Sequence, residues 1–271
     1  MPKFGDLGKT VKDLLDDDFD AGKDQVEYKF KNDAGMDIKF KGSKGCCGKV
    51  KFSNETKYSK SGIDFKEKFD NTGTITLEAA TKKIGHGVKV TGEVVTNTSA
   101  QPKGSTFKLD YTGTKNLFVT GKYVTDAGKW TADAVFTYDA FDLGVQGKGK
   151  AGGKPDFDFG VAYNQADCTM TTKLTGGSNI NASINYKASK ALDTGIAINY
   201  STGGGDPDAT LVGAYAYDAG TTTKFKLGTD QSLGLAFTHK LRKEITLGLS
   251  TSVDLKESKA ETVGMSLKFS A

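Results

Sequence analysis

Residues 179–201 read NINASINYKASKALDTGIAINYS. Ile180, Ala182, Ile184 and Tyr186 take every second place in the first half, and Leu192, Ile196, Ile198 and Tyr200 do so in the second. Side chains of an extended chain point to opposite faces in turn, so a period of two gathers each set on one face of a strand. Asn181, Ser183, Asn185, Asp193 and Asn199 fall on the other face. The stretch is two strands, apolar on one side, polar on the other, each ending its apolar side in tyrosine.

The same pattern runs outward in both directions. Towards the N-terminus, Val26, Tyr28 and Phe30 alternate with Glu27, Lys29 and Lys31, and Ile63, Phe65 and Phe69 with Asp64, Lys66 and Lys68. Trp130, Ala132, Ala134, Phe136 and Tyr138 form one strong run, and Phe157, Phe159, Val161 and Tyr163 another. Towards the C-terminus come Leu233, Leu235 and Phe237, then Ile245, Leu247 and Leu249, and finally Val263, Met265, Leu267 and Phe269. Turn formers separate the runs, among them Asp33-Ala34-Gly35, Asn71-Thr72-Gly73 and Asp218-Ala219-Gly220. Pro102, Pro155 and Pro207 are all expected in gaps, where they would remove no ladder hydrogen bond. The alternation predicts about nineteen strands between residue 23 and the C-terminus, with no linker or second domain.

Such a chain has to hide its apolar face. Only 37% of its residues are hydrophobic and the mean hydropathy is −0.42. No run of about 18 apolar residues suggests a membrane helix, but a β-barrel needs only alternate residues to be apolar. The polar face carries lysine at many alternate positions, and a packed interior could not hold so many ammonium groups. In a closed barrel of this many strands the inner face lines water and the outer face meets lipid, with no open edge. A soluble antiparallel protein, such as paired sandwiches or a lipid carrier, fits the alternation but not the strand count without a domain break.

The net charge is +4, and every basic residue except Arg242 is lysine. Base reading relies on arginine forks, so nucleic acid is a poor partner; scattered lysine suits small mobile anions. Cys46, Cys47 and Cys168 are odd in number and lack zinc-site spacing, and His86 and His239 are isolated. Gly203-Gly204-Gly205 lacks the Lys-Ser/Thr of a phosphate loop. The sequence predicts no metal, no cofactor and no enzyme.

The first twenty-two residues differ from the rest. Phe4, Leu7, Val11, Leu14 and Leu15 recur at three- and four-residue spacing, which predicts an amphipathic helix over this segment. Two placements fit it: a surface helix on the membrane, or a helix folded into the pore, with its stripe on the wall, its carboxylates near lumenal lysines and Lys9 and Lys12 in the permeation path. An acidic run, Asp16 to Asp18 and Asp20, follows, and Gly22 is a candidate hinge.

Four segments in order resemble the voltage-dependent anion channels, the mitochondrial porins. FGDLGKTVKDLL at 4–15 is similar to their N-terminal helix, and GIDFKEKF at 62–69 to a segment of their fourth strand. GVK at 87–89 resembles their Gly-Leu-Lys tripeptide, and TVGMSLKF at 262–269 fits the mitochondrial β-signal through Thr262, Gly264, Leu267 and Phe269. A count near nineteen is that family's own number. The resemblance implies an antiparallel transmembrane barrel closed by a parallel first and last strand, with residues 1–22 as helix and hinge and 23–271 as the barrel.

It further implies a voltage-gated, weakly anion-selective channel for ATP, ADP, phosphate and other small metabolites, integral to the mitochondrial outer membrane. Lys89, and with it Lys108, would contact nucleotide phosphates; Lys122, Lys224 and Lys226 are similar lumenal lysines. Glu67 shares a face with Ile63, Phe65 and Phe69, so it is expected to face lipid, where a carboxylate is costly. The family assigns such a residue to dimerisation, lipid sensing or docking of a hexokinase-type kinase. Alternatives are the protein-import barrel of the same membrane, disfavoured by the lysine excess, and a soluble lipid-binding β protein. The chain departs from the family in its acidic run and in a glycine-rich stretch reduced to Ala21-Gly22.

Overall fold

The computed structural model describes residues 2–45, 48–81, 84–85, 87–98, 102–257 and 259–271. Cys46, Cys47 and His86 lie outside these residues. A 3-10 turn at Phe4–Asp6 and a helix α1 at Lys9–Asp16 come first. Strands follow: β1 Lys23–Lys31, β2 Asp37–Gly45, β3 Val50–Lys60, β4 Ile63–Asp70 and β5 Thr74–Thr81. Next are β6 Val88–Asn97, β7 Pro102–Tyr111, β8 Leu117–Val124, β9 Lys129–Tyr138 and β10 Phe141–Lys150. Then come β11 Asp156–Gln165, β12 Cys168–Thr175, β13 Asn179–Lys187, β14 Leu192–Ser201 and β15 Asp208–Ala216. Last are β16 Thr221–Gly228, β17 Ser232–Arg242, β18 Ile245–Asp254 and β19 Lys259–Ser270.

Each strand pairs with the next, and β1 pairs with both β2 and β19, so the nineteen-stranded sheet closes on itself. An odd ring of alternating strands must contain one parallel pair, and here it is the closing pair, β1 and β19. Closure removes the edge strands that lipid would leave unsatisfied. By contact the chain forms two compact units. One takes Met1–Leu7, Lys29–Phe40 and Lys51–Val161, the other Gly8–Tyr28, Lys41–Val50 and Ala162–Ala271.

The registers explain why the alternation is so regular. Ile184 stands opposite Ile196, and Ile196 opposite Leu211; Leu211 opposes Leu227 and Leu227 opposes Leu233. One row below, Asn185, Gly195, Val212, Lys226 and Gly234 form the polar face. A slip of one residue would exchange the faces. The turns use the residues expected of them: Asp218 Oδ1 accepts from the Gly220 N–H at 2.6 Å and Oδ2 from the Thr221 hydroxyl at 3.1 Å. Those bonds, the Gly220 one foremost, hold the Asp218 carboxyl below the usual range.

The apolar face is bare. Phe107 is 56% exposed, Phe159 53% and Leu143 50%, and large apolar residues are exposed from Val26 to Met265. An apolar surface this continuous is not stable in water and calls for hydrocarbon. Buried large side chains are few, and they lie where the N-terminal segment meets the opposite, polar face: Phe4, Leu7, Val11, Phe118, Val135 and Val212.

Here the structure corrects the sequence reading in two respects. Pro102, expected in a gap, is the first residue of β7, a place where a strand tolerates proline. The stripe from Phe4 to Leu15 is not one helix. Gly8 takes a left-handed conformation (φ 73°) that separates the turn from α1. Periodicity cannot register this break, because the residues on both sides of it still turn their apolar faces to a wall.

Candidate functional site

The candidate site is the polar face together with the N-terminal segment that covers part of it. In the first unit, Phe4 and Leu7 fill a notch over β9 and β10. A Cβ at Gly144 would lie 2.8 Å from the Phe4 ring and 2.9 Å from a Leu7 methyl, so a side chain there would have to displace them. Val135, opposite Gly144, and Phe118, opposite Val135, complete the notch. Polar contacts frame it. The Phe4 N–H donates to Asp133 Oδ1 at 3.5 Å, and the Thr120 hydroxyl donates to Asp133 Oδ2 at 2.6 Å. Lys3 Nζ lies 3.1 Å from Asp110 Oδ2 and 5.4 Å from the centre of the Phe118 ring. Two further buried carboxylates follow on this face: Asp142 accepts from the Thr137 hydroxyl, and Asp158 from Lys148 Nζ, both at 2.6 Å.

In the second unit, α1 lies against β13, β14 and β15. Val11 and Val212 are both buried, and a Cβ at Gly195 would meet a methyl of each at 3.3 Å. The segment after α1 is held by charge. Asp18, also left-handed (φ 70°), sets Oδ2 3.1 Å from Lys224 Nζ and Oδ1 3.3 Å from Lys268 Nζ. Aspartate tolerates this conformation better than most residues. Burial would raise the Asp18 pKa, but Lys224 and then Lys268 outweigh it and hold the carboxyl below its ordinary value. Lys226 donates to the Leu15 carbonyl at 3.2 Å and lies 4.4 Å from the centre of the Phe19 ring.

The sequence-derived site residues fall as follows. Lys9 is exposed and paired with Asp13 at 3.1 Å; Lys12 is exposed on the same helix. Lys89 is half-buried on the polar face opposite Asp110, and Lys108 stands between Thr91 and Lys122. Lys89 and Lys108 thus share a unit and a face; Lys9 and Lys12 belong to the other unit. Glu67 is exposed on the apolar face, opposite Thr56 on β3 and Leu77 on β5. Gly22 is left-handed (φ 76°), and its N–H donates to the Val263 carbonyl at 3.2 Å. Thr262 and Gly264 lie beside this joint: a Cβ on Gly22 would meet Thr262 at 3.4 Å, and one on Gly264 would overlap the Asp20 carbonyl oxygen. Leu267 and Phe269 lie on the apolar face, opposite Leu247 and Ile245. Phe269 also approaches Tyr28, ring centres 6.5 Å apart.

Among the described residues no group of three His, Cys, Asp or Glu could hold a metal ion. His239 Nδ1 bonds the Thr221 hydroxyl at 2.9 Å, and Cys168 is half-buried with a free thiol. Sequence reasoning missed Phe118, Val135 and Val212, large apolar residues at polar-face positions. A signal was present: Leu117-Phe118-Val119, Ala134-Val135-Phe136 and Leu211-Val212 each break the alternation with consecutive apolar residues.

The geometry has a counterpart in known proteins. A turkey (Meleagris gallopavo) protein named "Non-selective voltage-gated ion channel VDAC2" is 26% identical over the whole chain and 94% of its own length. The human protein of that name is 27% identical, covering all of this chain and 95% of its own. The "Voltage-dependent anion-selective channel" of Drosophila melanogaster is 26% identical, covering all of this chain and 99% of its own. Among solved structures, a triply substituted mutant of Rh. blastica porin aligns with a TM-score of 0.55 at 10% identity, over 76% of this chain and 91% of that one. That likeness is one of fold. The family model described as "Eukaryotic porin" matches residues 1–264. With its closed nineteen-stranded sheet, lipid-ready outer face and N-terminal segment docked on the polar face, the chain belongs to the eukaryotic porin family.

Proposed function

We propose that the chain is a voltage-gated, weakly anion-selective diffusion channel for ATP, ADP, phosphate and other small metabolites in the mitochondrial outer membrane. One observation carries the reading: a closed sheet exposes an apolar face throughout, while its other face carries lysines such as Lys89, Lys108 and Lys122. The first face requires lipid, and the second then lines water. Lysines spread along such a lumen favour anions through their field, without a tight site that would oppose conduction. The relatives' names support voltage gating, and the family supports an integral membrane channel and not an enzyme.

Within this reading Lys9, Lys12, Lys89 and Lys108 contact permeating phosphates. Glu67, a carboxylate on the apolar face, serves as a contact for lipid, for a second copy or for a hexokinase-type kinase. Gly22 is the joint between segment and barrel. Thr262, Gly264, Leu267 and Phe269 act as the insertion signal. Planar-bilayer recording of the purified chain tests the central claim. In a KCl gradient the reversal potential is expected to have the sign of chloride preference, and conductance to fall at high voltage of either sign. A cation-selective pore, or a protein that alkaline carbonate washes from membranes, overturns it.

A further inference from the structure

The acidic run after α1 has no part in the channel reading, yet one of its carboxylates sits at the centre of a compact set of contacts. Lys224 and Lys226 project from β16 and Lys268 from β19, all on the polar face. Asp18 bridges Lys224 and Lys268 at 3.1 and 3.3 Å. The chain supplies their further acceptors as well: Lys224 Nζ donates to the Asp17 carbonyl and Lys226 Nζ to the Leu15 carbonyl, each at 3.2 Å. The wall makes room for this. A Cβ on Gly234 would lie 2.8 Å from the Lys226 stem and 3.3 Å from the Phe19 ring. Two ammonium groups thus meet the Asp18 carboxylate, and a third, two residues along β16, meets the Leu15 carbonyl of the same segment. The occupant neutralises one charge of three. A phosphate-bearing anion brings more charge and more acceptor oxygens to the same donors, and charge-assisted bonds of that kind are the stronger ones.

We propose that Lys224, Lys226 and Lys268 form a binding site for phosphate-bearing anions, and that Asp18 occupies it as a tethered competitor. Docking of residues 15–18 and binding of the anion then exclude each other, and by linkage each weakens the other equally. The anion displaces the segment from β16 and β19, so solute binding is coupled to the position of the N-terminus. The proposal rests on the channel reading for its source of anion, since a lumen in contact with metabolites delivers it.

Calorimetric titration of the full-length, detergent-solubilised chain with inorganic tripolyphosphate reads the site without requiring conduction. Asp18→Asn is expected to tighten binding about fivefold, because the competitor no longer withholds the competent state. Asp18→Gly, which keeps the left-handed backbone free of strain, is expected to do the same. Asp16→Asn changes net charge identically but touches none of the three lysines, so it is expected to change affinity less than about twofold. Adding Lys224→Gln and Lys268→Gln to Asp18→Asn should abolish the gain. Equal tightening by Asp16→Asn and Asp18→Asn would reduce the effect to a general field and overturn the proposal, as would an unchanged affinity in both Asp18 variants. Bilayer recording separates this from the channel reading. A conducting pore with unchanged calorimetry sinks the site alone. A silent protein that keeps the calorimetric order sinks the channel reading and leaves the site standing.

Discussion

Residues 4–7 and the thirteen after them are held to their walls by different physics. Phe4 and Leu7 are buried over Gly144, Phe118 and Val135, with a long backbone bond from Phe4 to Asp133 and, at the exposed margin, an ion pair from Lys3 to Asp110. Residues 8–20 rest on one buried apolar side chain, Val11, and then on Asp18, Lys224, Lys226 and Lys268. Burying two large side chains contributes about 3–6 kcal/mol and does not depend on salt. Partly exposed ion pairs contribute about 0–1 kcal/mol each and are screened by salt. The front of the segment is therefore the firm anchor and the charged part the loose one. Gly8, left-handed, stands in the chain between them.

Removing both anchors has the largest expected effect. Deletion of residues 1–20 should raise single-channel conductance and weaken voltage dependence, and recordings identical to those of the intact chain would show that neither anchor matters to the pore. Breaking the firm anchor alone comes next. Phe4→Ala is expected to destabilise docking of residues 4–7 by about 3 kcal/mol, the usual range for a buried phenylalanine. Gly144→Leu should expel the same residues by filling the notch. Hydrogen exchange of the Phe4–Leu7 amides reads both variants, and protection should be lost equally in 0.1 M and 1 M KCl. Salt-sensitive loss would mean that this anchor is ionic after all.

The loose anchor should respond more weakly and in the opposite manner to salt. Asp18→Asn is expected to cost about 1 kcal/mol at low ionic strength and much less in 1 M KCl, where screening acts within about 3 Å. Exchange at the amides of residues 15–18 is the measurement. Acid makes the same cut without mutation. The Asp18 pKa is depressed in the folded chain, so its contribution is complete above the ordinary carboxylate value, about 3.9, and fades as pH falls through the lower folded value. Protection at residues 15–18 should therefore drop below about pH 4 while that at Phe4–Leu7 persists. The smallest effect belongs to Lys9→Gln. It removes an exposed i,i+4 pair with Asp13, worth about 0.3–0.5 kcal/mol, and should leave both anchors in place.

Legibility in the sequence followed the same division. The wall was readable because each strand carries its own instruction: Ile180 to Tyr186 alternate whatever lies beside them. The N-terminal stripe was readable as apolar, but its break at Gly8 was not, because a glycine within a periodic run looks like a tolerated helix residue until its φ is known. Asp18 could be expected to meet lumenal lysine, yet not which one, since Lys224, Lys226 and Lys268 look like every other alternating lysine. Gly264 shows both sides at once. It was legible as part of a C-terminal signal, while the reason for glycine, the Asp20 carbonyl lying where a side chain would be, arises only when β1 closes against β19.

Local alternation, turn chemistry and the strand count by themselves determined that this chain is a two-faced sheet too long to leave open, with a greasy side and a lysine side. Those are properties of neighbouring residues, and pleating converts them into faces without help from afar. Only the tertiary structure decided where the N-terminal segment rests, which glycines make room for it and which lysines grip Asp18. These depend on residues more than a hundred positions apart being brought together by ring closure and strand register, which no local period encodes.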